Sequence, residues 1–415
     1  MINESFGSKL IKKAEARLTG VFAALDENEL INTQRVLKVY SDHAISQRHF
    51  APTNGYGYDD VGRDTLDLVW AEILGAEKAI VRPQIASGTH ALALCLYAVL
   101  RPGDTMIGGT GKPYDTLKSI IGSESTAGQG SLKDYGVNYR EIPLKEDHID
   151  IDTILQALST DAHVRLVHLQ RSRGYDWRDS FSVFELNDAI DRIHQADPSV
   201  CVMVDNCYGE FTDTVEPHAD LIAGSFIKNP GGGIAPTGGY AAGKAKYVDL
   251  VGYRLTCPGL GTEIGSYAGS YQPFYQGIFM APHTVNQALK VACLTASTFD
   301  LLGFNVNPAF DAKRNDIVEA IRFENPDLLI EFCRAIQANS PIDGNAVPEP
   351  WDMPGYDDQV IMAAGTFVAG ASVELSADAP MREPYIGYLQ GGLTYVHGKL
   401  ALIGALDTLK KKNLL

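Results

Sequence analysis

Three segments of the chain carry residue types that can do chemistry together. Ser87-Gly88-Thr89 opens an apolar stretch that reads as a helix following a short strand. In VMVDNCYGEF, Asp205 closes an apolar run. In DLIAGSFIKNPGGG, Ser225 and Lys228 follow another such run. A helix N-terminus built from small residues offers free N–H groups to a phosphate. A carboxylate at a strand end can keep a pyridine nitrogen protonated. A lysine at a neighbouring strand end can form a Schiff base with an aldehyde. Singly, the three segments read as a helix cap, a turn acid and a surface charge. Together, in this order and at matching strand ends, they describe a site for pyridoxal 5'-phosphate.

Such a site needs a sheet whose strand ends converge. Short apolar runs bounded by turn residues occur at 79–82, 105–108, 164–169, 200–204 and 220–226. Runs of this kind suit strands buried on both faces, as in a parallel sheet covered by helices. Helical stripes lie between them, at 64–75 and 180–195 and in ALALCLYAVL. The expected fold is therefore α/β, a mostly parallel sheet flanked by helices, with a smaller α+β domain behind it. The spacing predicts a helical arm over 1–45, in which Ala14, Leu18, Val21, Phe22 and Leu25 share one face of a first helix. The large α/β domain is placed at 46–285 and the small domain at 286–415. Around that junction a helix is expected over about 283–302, followed by strands at 315–323 and 358–364 and helices at 325–338 and 391–411.

At 415 residues the chain is long enough for two or three domains and a sizeable core. Its net charge of −16 argues against nucleic acid or an anionic membrane as partner. No apolar run is long enough for a transmembrane helix, and the first residues lack the apolar core of a secretory signal. Six scattered cysteines without a CxxC pair read as buried free thiols, and the expected location is the cytoplasm. No metal site is expected. GTGKPYDT at 109–116 fails the Walker pattern at Met106 and Pro113, and EDHIDID at 146–152 reads as a solvated turn feeding a helix.

The segments RPQIASGTHAL, LQRSRGYDWR, VDNCYGEF, GSFIKNPGGGIAPTGGY and QGGLTYVHGK together resemble the methionine gamma-lyase or aluminium-resistance family. These are fold-type I pyridoxal phosphate enzymes related to the Cys/Met metabolism lyases such as cystathionine beta-lyase. The resemblance implies that Lys228 holds the cofactor aldehyde and moves substrate protons. It implies that Asp205 holds the ring nitrogen, and that Gly88, Thr89 and Ser225 bind the phosphate beside Ser87. Tyr114, in KPYDT, is similar to the tyrosine that stacks on the cofactor ring and acts as acid or base. Tyr56 or Tyr58, with Arg63, resembles the stretch that reaches a neighbouring subunit's phosphate. Arg382 is the candidate for a substrate carboxylate, and Arg171 and Arg173 flank a strand end near the same pocket. Ile227 stands where the well-studied lyases have Thr, and Gln170 is the nearest candidate for their ring-oxygen asparagine. The family also implies a homotetramer, a dimer of dimers with shared sites.

The expected activity is a carbon–sulfur lyase acting on cystathionine, cysteine or methionine by β- or γ-elimination. Such a reaction calls for a lysine with a depressed pKa. An aldolase or aminotransferase on another amino acid would use the same cofactor residues. A non-catalytic stress-related protein on the same fold is a third reading, which Lys228 and Asp205 argue against.

Overall fold

Alternate residues of the central runs must face opposite ways. In the computed structural model, which describes residues 5–415, both faces are covered by helices. Seven strands form the large sheet: β1 (Lys78–Arg82), β2 (Thr105–Gly108), β3 (Asn138–Glu141), β4 (Val164–Gln170), β5 (Cys201–Asp205), β6 (Leu221–Ser225) and β7 (Gly239–Gly243). Their order is β1-β7-β6-β5-β4-β2-β3, and β7 alone runs against the rest. Val202 and Val204 of β5 join one hydrophobic layer, while Cys201 and Met203 join the other.

The helices around this sheet begin with α1 (Phe6–Glu15), α2 (Thr19–Asp42), α3 (Val61–Leu74), α4 (Gly88–Val99) and α5 (Asp115–Ile121). They continue with α6 (Ile151–Thr160), α7 (Val183–Ala196), α8 (Ala245–Leu255) and the long α9 (Gln272–Leu301). One layer packs α3, α7 and α9 on the sheet, and the other packs α4, α5 and α8. Asp150 caps α6, so the EDHIDID stretch does feed a helix.

A second sheet is fully antiparallel. It orders β10 (Val360–Ala363), β11 (Ser376–Pro380), β12 (Ile386–Gln390), β9 (Val318–Arg322) and β8 (Asn305–Asn307). It packs on α10 (Pro326–Gln337) and the C-terminal half of α9, and α11 (Tyr395–Lys411) and α1 pack on those helices in turn.

Two expectations change. The N-terminal arm is two helices, broken between Glu15 and Thr19, so Ala14 and Val21 sit on different helices. Helix α9 starts eleven residues before the expected 283 and carries Pro282 inside it. It runs through the expected boundary at 286 and contributes to both cores.

The PGGG run explains how the lysine-bearing turn is held. A Cβ on Gly277 of α9 would lie 2.4 Å from the Gly231 carbonyl oxygen. One on Gly232, at φ 56°, would lie 2.5 Å from the Gly277 carbonyl oxygen. Only glycines let the two backbones touch. The run is a packing device that fixes the turn after β6.

Candidate active site

Because β4, β5 and β6 are parallel, their last residues Gln170, Asp205 and Ser225 share one edge of the sheet. Helix α4 begins at the same edge, with Ser87 as its cap accepting from the His90 N–H at 3.0 Å. A cavity of about 380 Å³ opens there. Among the expected residues, Ser87, Gly88, Thr89, Tyr114, Gln170, Asp205, Ser225 and Lys228 line it.

Lys228 lies half-buried in this cavity, its Nζ 3.9 Å from the centre of the Tyr208 ring. It has no carboxylate partner among the described residues. Tyr208 itself holds a left-handed backbone, φ 71°, the kind of strained conformation that gathers at functional sites. Asn229 anchors the turn by donating from Nδ2 to the carbonyl oxygens of Tyr208 (2.9 Å) and Glu210 (3.0 Å). Burial pushes the Lys228 amine toward neutrality, but Tyr208, Cys207 and Asp205 outweigh it, and its pKa lies above the ordinary lysine value. The depressed pKa expected from the sequence is therefore not supplied by the protein groups around it.

Asp205 is buried and its Oδ1 accepts from the Cys207 N–H at 3.1 Å. Tyr114 shares a 2.7 Å hydrogen bond with Tyr356, and burial, then the neighbouring Tyr356, raises its pKa well above the usual tyrosine range. Such a phenol keeps its proton at neutral pH. Gln170 accepts the Tyr114 N–H at 3.1 Å and donates to the Ser172 carbonyl at 2.9 Å.

The donor set suits pyridoxal phosphate. A capped helix start, a nearby hydroxyl on Ser225, a strand-end carboxylate and a lysine held by Tyr208 without a carboxylate partner all face one space. At Gly88 a Cβ would lie 3.2 Å from both Cys207 Sγ and Ser225 Cβ, so the helix start packs closely against the ends of β5 and β6. Gly88→Val should overpack that corner by about 1–3 kcal/mol, weakening cofactor affinity about tenfold to a hundredfold. A spectrophotometric titration with pyridoxal phosphate measures this; unchanged affinity would remove Gly88 from the phosphate site.

Other expected residues lie elsewhere. Arg171 turns to the opposite side from Gln170, as the strand period requires, and binds Glu216, Asn206 and Thr212 in a buried network. It cannot serve the pocket. Arg173 and Arg382 line a small adjoining cleft that shares Tyr114, Gln170 and Gly174 with the cavity. Arg382 is paired with Asp358 at 2.8 Å. Arg173 donates to the Asn307 carbonyl at 2.8 Å, while its buried Nε and Nη2 have no partner. Arg63 is buried and engaged by the Gly57 carbonyl and Asp64, each at 2.8 Å. Tyr56 and Tyr58 are 69% and 58% exposed and lie outside this cavity.

The sequence reading missed the second wall. Tyr356, Ser372, Ser376, Asp378 and Gln390 reach the cavity from the small-sheet side. Burial pushes the Asp378 carboxyl up to about 6, against Gln390, Tyr175 and Lys228, which favour its ionised form. The only advance signal was a lone acid among small residues in SADAP.

Behind Lys228, Glu210 is fully buried beneath the turn, accepting from the Tyr240 hydroxyl at 2.7 Å. Burial lifts its carboxyl to about 8. A carboxyl raised on folding adds stability at low pH that is lost as pH climbs from its unfolded value, about 4.3, through 8. Glu210→Gln should remove that loss. The difference in unfolding free energy between variant and parent should grow by about 1.4 kcal/mol per pH unit within this window. Denaturant melts at pH 5 and pH 8 test it, and parallel curves would contradict it.

The family profile described as methionine gamma-lyase matches residues 7–410. The chain belongs to this family. Its relatives include the uncharacterized protein YnbB of Bacillus subtilis (strain 168), 48% identical over 98% of this chain and 97% of that one. A carbon–sulfur lyase involved in aluminum resistance from Clostridium novyi NT superposes with a TM-score of 0.93 at 47% identity, covering 97% and 95% of the two chains. A proposed cystathionine beta-lyase involved in aluminum resistance from Clostridium acetobutylicum gives 0.95 at 48%, covering 98% and 96%. The fold is that of fold-type I pyridoxal phosphate enzymes, and it extends to the pyridoxal phosphate-dependent YhfS of Escherichia coli at 15% identity, TM-score 0.61, over 93% and 97%. No helix among the described residues is long and apolar enough to cross a membrane. None of the six cysteines forms a disulfide.

Proposed function

We propose that this protein is a pyridoxal phosphate-dependent lyase that cleaves a carbon–sulfur bond of a sulfur amino acid. The observation that carries the reading is the convergence of Lys228, Asp205, Ser225 and the start of α4 on one buried cavity, in a chain of the methionine gamma-lyase family. Bound pyridoxal phosphate supplies an aldehyde for the substrate amine and a ring that takes up the electron pair left at Cα.

The residues then divide the work. The Gly88 and Thr89 N–H groups, with Ser225, bind the phosphate. Asp205 keeps the ring nitrogen protonated. Lys228 Nζ takes the Cα proton in its neutral form, which the cationic cofactor ring rather than the surrounding protein groups would favour, and returns protons later in the cycle. Tyr114, kept protonated by burial and Tyr356, hydrogen-bonds the departing sulfur, and the proton that Lys228 took from Cα completes the thiol. Of the two candidate arginines, Arg173 has buried donors without a partner, whereas Arg382 is held in an ion pair by Asp358, so Arg173 is assigned to the substrate carboxylate. Tyr56, Tyr58 and Arg63 are assigned to the site of a neighbouring copy in a dimer of dimers, which sedimentation would reveal as a tetramer. Small molecules, not nucleic acid or membrane, are the partners, and the cytoplasm is the proposed location.

The test is product balance on cystathionine, cysteine and methionine. A lyase releases thiol, keto acid and ammonia in equal amounts. An aminotransferase yields keto acid without ammonia and only with an acceptor. An aldolase yields an aldehyde. Either of the latter outcomes would replace this reading.

A further inference from the structure

The two walls of the cavity differ in charge. Lys228 is the sole cation lining it among the described residues. On the small-sheet wall Asp378 is the sole ionisable group apart from tyrosine among the described residues, and its neighbours there are mostly alanine, glycine and serine. Asp378 Oδ2 accepts from Gln390 Nε2 at 2.9 Å. Its Oδ1 is shielded from solvent and has no donor in good hydrogen-bond geometry among the described residues, although the Tyr175 hydroxyl and Lys228 stand near enough to favour the ionised carboxylate. Two residues earlier on β11, Ser376 Oγ is also shielded and unpaired. Residues two apart on a strand share a face, and both line the cavity. The nearby arginines do not complete the pair: both line the adjoining cleft instead.

A buried carboxylate oxygen and hydroxyl without partners are costly unless a ligand supplies them. An apolar thioether side chain would leave both unpaired, and a carboxylate would meet like charge. An ammonium group supplies up to three donors and a compensating charge. We propose that Asp378 Oδ1 and Ser376 Oγ receive an ammonium group at the far end of the substrate side chain, making this cavity selective for amino acids with a second, distal amino group. The inference rests on the reading of this cavity as an amino-acid site, but its test does not rest on elimination.

The probes are L-lysine and L-norleucine, which share the carbon chain and differ by the terminal ammonium. Neither carries a thiol to eliminate, so binding to the cofactor-loaded protein is read directly by calorimetry at neutral pH. The parent should bind lysine about tenfold or more tightly than norleucine. Asp378→Asn should erase that preference and leave norleucine affinity within about twofold; Ser376→Ala should reduce it in part. An unchanged visible absorption band reports that each variant still holds its cofactor. Equal affinities in the parent, no binding of either, a preference that survives Asp378→Asn, or an equal loss for both amino acids would overturn the proposal. Failure to release thiol from any sulfur amino acid would sink the lyase reading and leave this binding result standing.

Discussion

Lys228→Ala should lose at least about 10²–10⁴-fold in kcat, the share of one positioned proton carrier, and the visible absorption of bound cofactor should shift or vanish. The reasoning is local. No other cation lines the cavity among the described residues, so no neighbour can substitute. The turn that carries Lys228 is clamped between Asn229 and the glycines packed on α9, so truncating the side chain leaves its backbone in place. The fold should therefore survive while activity does not. A Lys228→Ala protein with parental activity would mean that another residue carries the chemistry.

Asp205→Asn should cost about 10²–10³-fold in kcat, the usual penalty for deleting one preorganised electrostatic partner of the reacting group. The substitution keeps the shape and an acceptor for the Cys207 N–H. It removes the negative charge that would hold a ring nitrogen protonated. Cofactor content should fall less than activity, so the two variants differ in kind. Lys228 is needed for attachment and proton transfer, Asp205 for the ring's capacity to take electrons. Equal losses of cofactor and activity in Asp205→Asn would show that Asp205 mainly holds the cavity together.

The large-sheet half of the site was legible in the sequence because parallel strands advertise their ends. Each of Asp205 and Ser225 closes a run of apolar residues, and both ends fall on one edge once the strands run the same way. Arg171 shows the limit of that reading. Proximity to a strand end says nothing of side, and one residue's offset from Gln170 sends the side chain to the other face. β7, the sequence GYAAG, lacks the β-branched residues that mark strands and was not anticipated. α9 was begun too late because Pro282 reads as a breaker, although the surrounding helix is buried against both cores. Asp378 and Tyr356 come from segments about 150 and 130 residues beyond Lys228 in the chain. Only the packing of the second sheet brings them to the cavity, and no local pattern encodes that.

The most direct test of the central claim is borohydride reduction of the protein loaded with pyridoxal phosphate, followed by digestion and peptide mass analysis. The account expects a yellow protein, bleached by borohydride, with the pyridoxyl group on the peptide that contains Lys228 and on no other. A colourless protein that takes up no pyridoxal phosphate, or a label on a different lysine, would contradict it.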